Sequence, residues 1–305
     1  MPTVTVIVPT FNRASLVAKT IRSVLKQTFT DFELLVLDDG SGDRTKQVVQ
    51  KIKDDRIRYI KHRHNIGFVA NWTYGVKHSE GKYLTILGDD DLYKPDFLSR
   101  RVSVIERDTD LLAVTGAFDC CGLDGTIIRH SHLPCRSDMT FEGNELIDLT
   151  LGFSGEWFNG ATLYRTELVR SIWNDIIFAG TVVDLAMHIN LALMPKAKVH
   201  FLAQSGMLLC VHPQQESINN NLFLSESAAL AAMKLWHFKV KPGGMYLAKF
   251  RKRFSSDLNN YGRILWDKGM VKESRSMFWQ ELMIQPFSSE TWLRYLRTFV
   301  TASQK

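Results

Sequence analysis

The sequence predicts an α/β fold with a mainly parallel sheet flanked by helices, followed by a C-terminal helical appendage. In the first hundred residues, short β-type apolar runs alternate with segments of helical spacing. Polar clusters follow three of these runs at the point where each would end. After about residue 222 no strand-like run remains, and the spacing is helical throughout.

Each element of the first hundred residues has its own local pattern. The apolar run over 4–10 is continuous, as in a strand buried on both faces. The other predicted strands and the helices between them are at 33–41, 56–62 and 82–88, and at 14–26, 43–53 and 65–79. Helices of about a dozen residues between strands indicate βαβ units, whose strands are parallel.

The middle of the chain, about 95–215, is mixed. We predict a helix after Pro95, a helix at 182–193, a strand at 111–118 and strands over 201–213, with a Gly/Ser loop and a short strand in 152–165. Residues 258–286 resemble one tetratricopeptide-type helical hairpin, but one unit does not establish an array.

Composition is that of an ordinary soluble globular protein, with 45% hydrophobic and 23% charged residues. No stretch approaches the ~18 apolar residues of a membrane span, and we expect no secretory signal. The four cysteines lack zinc-site spacing, so we expect reduced thiols in a cytoplasmic protein.

Charge is concentrated at the C-terminus. Residues 239–305 carry 13 Lys and Arg against 5 Asp and Glu, whereas residues 1–238 carry 25 against 27. This asymmetry suggests an acidic partner surface for the tail, with anionic lipid headgroups favoured over nucleic acid. A solvated helical face is the alternative.

Asp89, Asp90 and Asp91 end the fourth predicted strand. Two carboxylates about 4 Å apart repel by roughly 4 kcal/mol at an effective dielectric constant of about 20, so such a cluster must be solvated, partly protonated or bound to a cation. An acidic surface turn is the simpler interpretation. However, the clusters 9–12 and 38–41 also follow strands, and the carboxyl ends of parallel strands meet at one edge, where ligands bind.

Carboxylate oxygens are preferred ligands of Mg²⁺ and Mn²⁺, which need only one or two protein ligands when a diphosphate supplies the rest. No Walker-type phosphate loop and no G-x-G-x-x-G follows the first strand. The pattern therefore favours a nucleotide diphosphate held through a metal, and counts against a P-loop NTPase or a dinucleotide oxidoreductase.

Two segments carry a family resemblance: "VTVIVPTFNRASLVAKTIRSVLKQTFTDFELLVLDDGSGDRT" and "NIGFVANWTYGVKHSEGKYLTILGDDDLYKPDFL". They closely resemble family 2 glycosyltransferases of the GT-A fold. The resemblance is specific over about 3–100, moderate to about 215 and weak beyond. It implies a GT-A domain at 1–220, with a nucleotide-sugar half at about 1–100 and an acceptor half at about 100–220. A basic, aromatic-rich helical extension would then occupy 221–305.

The resemblance also implies site residues. The donor nucleotide sugar would contact Pro9, Thr10, Phe11, Asn12, Asp39, Asn65, Gly67, Asp89 and Asp90. The family's D-x-D motif falls on "GDDD", and Mn²⁺ or Mg²⁺ would be held by Asp91, Asp90 and His212, with Asp89 near the ribose. For His212, binding of phosphate and a structural role after the strand are the alternatives. Which of the three aspartates binds the metal is left open. Many relatives place an Arg where this chain has Ala70, so that substrate contact is in doubt.

The acceptor half, about 100–220, would supply the residues that bind and activate the acceptor. Asp184 matches the family's general base; a helix-capping aspartate is the alternative. Glu156 is a reserve base and, with Trp157 and Phe158, a candidate for acceptor binding. Trp157 and Phe158 would suit stacking on a sugar, and core packing is the alternative.

Together these features predict an inverting glycosyltransferase that uses metal-assisted single displacement, with UDP favoured over dTDP or GDP. The product would be a polysaccharide or glycoconjugate, and the acceptor a glycan or a lipid-linked one. The basic tail would fit peripheral contact at the inner membrane face. A nucleotidyltransferase would need a Gly-rich basic loop that is missing from 9–15. An inactive GT-A-like binding module is the other alternative, although it would be expected to lose these carboxylates.

Overall fold

The structure is a computed structural model that describes residues 1–130, 135–151, 157–177, 183–212 and 247–300. These residues divide into two compact units. The first contains Met1–Ile177 and Met187–His212, and the second includes residues 183–186 and 247–300.

The first unit contains all ten described strands. In chain order they are β1 Val4–Thr10, β2 Phe32–Asp38, β3 Ile57–Lys61, β4 Tyr83–Ile86, β5 Leu92–Tyr93, β6 Ala113–Cys121, β7 Ile127–His130, β8 Met139–Glu142, β9 Leu163–Arg165 and β10 Lys198–Cys210. The helices before β10 are α1 Ala14–Leu25, α2 Thr45–Gln50, α3 Phe68–His78, α4 Phe97–Arg107, α5 Gly143–Leu151, α6 Thr166–Ile176 and α7 Val183–Ala192. Helix α7 crosses the division between the two units.

The strands form one sheet in the order β3-β2-β1-β4-β9-β6-β10-β5, with β7 paired to β6 and β8 paired to β10. The first four strands are parallel, as predicted. The other half is mixed: β6 and β10 are parallel, whereas β5, β7, β8 and β9 pair antiparallel with their neighbours. The predicted α/β class is therefore confirmed, and the parallel arrangement belongs mainly to the amino-terminal half.

The core lies against the central strands. Val6, Ile7 and Val8 on β1 are completely buried, as the continuous apolar run predicts for a strand covered on both faces. Helix α1 buries Val17 and Ile21, which lie one turn apart, on the same core. Because β1 is buried on both faces, its position in the sheet is fixed. The position of the turn that follows β1 is fixed with it.

Some elements differ from the sequence prediction. The helix expected at 43–53 is limited to α2, because Asp43 Oδ1 accepts hydrogen bonds from the backbone and side chain of Thr45 before the helix begins. Strands β5, β7 and β8 were not predicted, since two to four residues are too short to show a period.

In the described part of the second unit there are three further helices, α8 Leu247–Asp267, α9 Val271–Ile284 and α10 Ser289–Val300. The hairpin expected at 258–286 corresponds to the second half of α8 together with α9. The buried Glu281 on α9 joins all three helices, accepting hydrogen bonds from Ser255, Asn259 and Thr291 at 2.8–2.9 Å. None of the described helices combines the length and the hydrophobicity that a membrane span requires.

Candidate functional site

The ends of β1 and β4 meet through side chains. The hydroxyl of Thr10, the last residue of β1, donates to Asp89 Oδ2 at 2.6 Å. The carbonyl of Thr10 accepts the backbone N–H of Asp39, beyond the end of β2, at 2.9 Å. The predicted convergence of three polar clusters on one edge of the sheet is confirmed.

The turns after β1 and β2 are tied to each other. The Asn12 N–H donates to Ser41 Oγ at 2.9 Å, and Asn12 Oδ1 accepts the Gly42 N–H at 2.8 Å. Asn12 has a φ of 54°, a left-handed conformation that asparagine tolerates better than most residues. The Asn12 side chain therefore stabilises the contact between these two turns. Phe11 beside it is 42% exposed and presents an aromatic face at this edge.

Asp39 is buried and organises the loop before α3. Its Oδ1 accepts the Ile66 N–H at 2.7 Å and its Oδ2 accepts the Gly67 N–H at 3.0 Å. Asn65 Oδ1 also accepts the Gly67 N–H, at 2.9 Å. Three of the predicted donor-binding residues, Asp39, Asn65 and Gly67, therefore form one hydrogen-bonded group.

This loop also approaches the backbone of the β2 turn. A Cβ at Gly40 would lie 2.5 Å from the carbonyl carbon of His64, and its φ of +78° is in the left-handed region. Glycine is therefore required at position 40 by both space and backbone conformation.

Arg13 neutralises part of the acidic cluster. Its Nη1 donates to Asp89 Oδ1 at 2.9 Å and to Asp90 Oδ2 at 2.8 Å. The Asp89 and Asp90 side chains are only 7% and 10% exposed, so solvent screens these ion pairs weakly.

His212 reaches the same carboxylate from the other half of the sheet. Its Nε2 lies 3.0 Å from Asp90 Oδ2, and its side chain is 2% exposed. Two residues earlier, the Cys210 N–H at the end of β10 donates to Asp91 Oδ1 at 3.0 Å. The predicted grouping of His212 with the aspartates is thus present in the structure.

The remaining oxygens of Asp90 and Asp91 face Gly88. A Cβ at Gly88 would lie 2.9 Å from Asp90 Oδ1 and 3.0 Å from Asp91 Oδ2. The lack of a side chain at position 88 therefore leaves a small cradle with a carboxylate oxygen from each aspartate at its edge.

Burial perturbs the acidic groups of this cluster. Burial raises the pKa of Asp89 to about 6, although the Arg13 guanidinium and the Thr10 hydroxyl favour its charged form. Burial, reinforced by the charge of Asp90, raises the pKa of Asp91 well above its usual range. One guanidinium therefore does not compensate the negative charge gathered here.

The cluster suits a divalent cation in its chemistry. Among the described residues no group of three or more His, Cys, Asp or Glu side chains lies in an arrangement that could hold a metal ion, and Arg13 already engages two of the aspartates. Still, Asp90 and His212 supply oxygen and imidazole donors 3.0 Å apart, and the Gly88 cradle adds a carboxylate oxygen of Asp91. A Mn²⁺ or Mg²⁺ ion held by these donors would therefore have to take most of its ligands from a bound diphosphate.

Asp184 lies in the first turn of α7, in the second of the two units, where it is half-buried. Its Oδ1 accepts the N–H of the adjacent Leu185 at 2.8 Å, one of the first-turn backbone N–H groups that have no partner within the helix. Burial raises the pKa of its carboxyl group.

Trp157 and His188 form a buried stack. Their ring centroids are 4.2 Å apart with planes 12° apart, and Phe201 meets Trp157 edge-on. His188 Nε2 is 2.8 Å from the Tyr164 hydroxyl, and burial lowers the pKa of His188 to about 3. Trp157 is 7% exposed, which agrees with the core-packing alternative, and its assignment to the acceptor site stays a prediction.

Phe158 and Glu156 are the two other acceptor-side candidates. Phe158 is half-buried, with its ring centroid 5.3 Å from that of Phe118. Glu156, the reserve base, lies outside the described residues.

The sequence motifs assign no site role to Arg13 or to Cys210. Arg13 stands three residues beyond β1, at the edge where the acidic cluster was expected, and this placement was an available signal. The contact of Cys210 is made by its backbone, which no side-chain motif encodes.

Comparison with known proteins identifies the family. The family described as "Glycosyl transferase family 2" matches residues 5–170, which is more than half of the chain. The chain belongs to glycosyl transferase family 2. The resemblance carried by the strand-end motifs is thereby confirmed.

Relatives in this family include enzymes of lipid-linked glycans. A GalNAc(5)-diNAcBac-PP-undecaprenol beta-1,3-glucosyltransferase of Campylobacter jejuni is 45% identical over 94 residues, 30% of each chain. The Escherichia coli UDP-Glc:alpha-D-GlcNAc-diphosphoundecaprenol beta-1,3-glucosyltransferase WfgD is 31% identical over 102 residues, 33% of this chain and 40% of that protein. The chain thus matches well under half the length of these curated relatives.

Solved structures share the fold over nearly the whole chain. S. aureus TarS 1–349 in complex with UDP-GlcNAc has a TM-score of 0.63 at 17% identity, covering 97% of this chain and 79% of that one. The mannosyltransferase PcManGT from Pyrobaculum calidifontis in complex with GDP-Man and Mn²⁺ has a TM-score of 0.58 at 15% identity, covering 100% and 86%. The GT-A type of fold expected from the sequence is confirmed.

Proposed function

We propose that this family 2 member is an inverting glycosyltransferase that moves a sugar from a UDP-linked donor to a hydroxyl of a lipid-linked glycan. The observation that carries the proposal is the meeting of His212 with Asp90, next to Thr10, Arg13 and Asp89, at the carboxyl edge of the sheet. UDP is chosen because WfgD and the TarS complex are both described with UDP-sugars. The lipid-linked acceptor rests on the names of two relatives.

The donor would lie along the edge between the β1 turn and the acidic cluster. The exposed ring of Phe11 offers an apolar face to a base. Thr10 orients Asp89, and Asp39 keeps the 65–67 loop in place while each of its oxygens retains a second lone pair. Asp90, Asp91 and His212 would hold Mn²⁺ or Mg²⁺. When bound, the cation would stabilise the negative charge of the departing diphosphate.

Asp184 is the proposed general base. As a carboxylate, Asp184 would take the proton of the acceptor hydroxyl. At the same time the hydroxyl oxygen would form a bond to the anomeric carbon, and the bond between that carbon and the diphosphate oxygen would break. A single displacement of this kind inverts the anomeric configuration. The raised pKa of Asp184 brings its basicity closer to that useful at neutral pH.

A thermal-shift panel tests the donor site. UDP-, dTDP- and GDP-sugars would each be added with Mn²⁺ and with a chelator. A ligand at 100 times its Kd stabilises the fold by about 2.7 kcal/mol, a shift of several degrees. We expect a metal-dependent shift with UDP-sugars.

Two variants make the thermal-shift test specific to the acidic cluster. Asp90→Asn should abolish the metal-dependent shift, and Asp55→Asn, at an exposed loop carboxylate, should leave it unchanged. A shift that survives chelation, or one that is equal in both variants, would refute the metal-held donor. Metal-dependent binding without any transfer to a lipid-linked acceptor would favour the inactive binding module.

A further inference from the structure

Arg13 holds two of the three clustered aspartates with one nitrogen atom. Its Nη1 donates to Asp89 Oδ1 at 2.9 Å and to Asp90 Oδ2 at 2.8 Å. The same Asp90 Oδ2 lies 3.0 Å from His212 Nε2. A carboxylate oxygen offers two lone pairs, so these two contacts use both of them. The Oδ2 atom of Asp90 is therefore fully engaged in the structure.

The Arg13 guanidinium takes the position in which the aspartates need a positive charge. Asp89 and Asp91 are 5% and 4% exposed, and water screens charges weakly at such depth. A divalent cation at the same carboxylate oxygens would lie beside the guanidinium, and the two positive charges would repel each other. The competition agrees with the arrangement of the described residues, in which no group of three or more His, Cys, Asp or Glu could hold a metal ion.

The Arg13 side chain can leave the aspartates while its backbone stays in place. Arg13 is the residue before α1, and its carbonyl accepts the N–H groups of Leu16 and Val17, each at 3.0 Å. Its side chain is 25% exposed, so a path to solvent is open. Guanidinium groups bind phosphate oxygens in bidentate pairs. A diphosphate at this edge of the sheet would therefore offer Arg13 a new partner.

We propose that Arg13 is an exchangeable counter-ion, which keeps divalent cations away from Asp90 until a nucleoside diphosphate is bound. The diphosphate draws the guanidinium away from Asp90, and the freed carboxylate oxygen becomes available to a cation. Cation and diphosphate then favour each other's binding, and Arg13 increases this coupling. The inference rests on the metal-held donor site proposed above and adds the residue that controls access to it.

Mn²⁺ binding to the full chain tests the proposal, with electron paramagnetic resonance reporting the free ion. The Kd of Mn²⁺ would be measured with and without UDP. For the parent we expect UDP to tighten Mn²⁺ binding about 5–150-fold, the usual range of coupling between two sites. Without UDP, Arg13→Gln should bind Mn²⁺ at least about tenfold more tightly than the parent, because a neutral amide does not repel the cation. The effect of UDP on the variant should be correspondingly smaller.

Two further variants serve as controls. Arg22→Gln removes the same charge from an exposed position on α1 and should bind Mn²⁺ like the parent. Arg13→Lys keeps a positive charge and should stay closer to the parent than Arg13→Gln does. Circular dichroism establishes that each variant is folded. If Arg13→Gln did not fold, the parent with and without UDP and Arg13→Lys would still test the proposal.

Two results would overturn the proposal. One is a parent that binds Mn²⁺ as tightly without UDP as with it. The other is an Arg13→Gln variant whose Mn²⁺ affinity without UDP equals that of the parent or of Arg22→Gln. Failure of the donor site has a different signature. If the parent did not bind Mn²⁺ and UDP together, whereas Arg13→Gln bound Mn²⁺ alone, the metal-held donor would be refuted and the exclusion of cations by Arg13 would stand.

Discussion

His212 Nε2 lies 3.0 Å from Asp90 Oδ2, joining residues 122 positions apart in the sequence. The contact connects the end of the parallel half of the sheet to the end of β10. Both side chains are buried, so each restricts the other to one geometry. The pair is therefore the natural place to begin testing the candidate site.

His212→Ala should weaken Mn²⁺ binding by at least about tenfold, as loss of even an outer-shell partner of a metal does. The measurement is a Mn²⁺ titration followed by thermal shift in the presence of UDP. His64→Gln, at an exposed loop position, serves as the control. An unchanged Mn²⁺ affinity in His212→Ala would show that this histidine only positions Asp90.

Asp184→Asn should keep the donor-induced thermal shift and lose transfer by about 10²–10⁴-fold, the usual contribution of a general base. In the parent, transfer should decline as the pH falls through the raised pKa of Asp184, since a protonated carboxyl group cannot accept the acceptor's proton. The pH–rate profile of sugar transfer measures this. Asp175→Asn, at an exposed carboxylate near the end of α6, should retain normal transfer. Normal transfer by Asp184→Asn would exclude its role as base.

Gly88→Ala should disturb the aspartates while leaving the fold intact. Its Cβ would lie within 3.0 Å of oxygens of both Asp90 and Asp91, so these carboxylates must move. A displacement of about 1 Å at a reacting centre can cost on the order of 10²-fold in rate. Gly42→Ala, where an added Cβ meets nothing within 4 Å, is the matched control. Equal transfer rates in the two variants would contradict this account.

His188 should make the fold sensitive to acid. Its pKa is about 3 in the folded protein, against about 6.5 in an unfolded chain, so below pH 6.5 protons bind preferentially to the unfolded state. The free energy of unfolding should therefore fall as the pH drops from about 6.5 toward 3, by up to about 1.4 kcal/mol per pH unit from this residue.

Urea unfolding of the parent, His188→Gln and Tyr164→Phe at several pH values measures the effect. His188→Gln should reduce the pH slope. Tyr164→Phe removes the 2.8 Å hydrogen bond to His188 but keeps the imidazole, so it should lower stability at pH 7 and keep the slope. An undiminished slope in His188→Gln would assign the acid sensitivity to other groups.

The fold was predictable where local pattern decides it. Strands β1 to β4 are bounded by clear apolar runs, and β1 begins and ends where the sequence indicates. The antiparallel strands β7 and β8 depend on long-range pairing with β6 and β10, which periodicity does not report. For α10 the sequence predicts a helix, but which face is buried depends on its neighbours, and there the burial of Thr291 and Thr298 reverses the usual expectation.

The candidate site was predictable to a similar degree. Motif position placed Thr10, Asp39 and Asp89 at one edge, and the structure brings them together. The ion pairs of Arg13 with Asp89 and Asp90 were not predicted, because they depend on the register between β1 and β4. The same limit applies to Trp157, whose stacking partner His188 is 31 residues away in the sequence.

Strand β10 explains how the two halves of the candidate site keep their alignment. It is bordered by β6 on one side and by β8 and β5 on the other. Cys210, the last residue of this ladder, meets Asp91, and His212, two residues further on, meets Asp90. The conformational entropy of these groups is therefore already lost when the sheet forms. A donor that binds here gives up mainly its own freedom, so more of its contact energy remains as affinity.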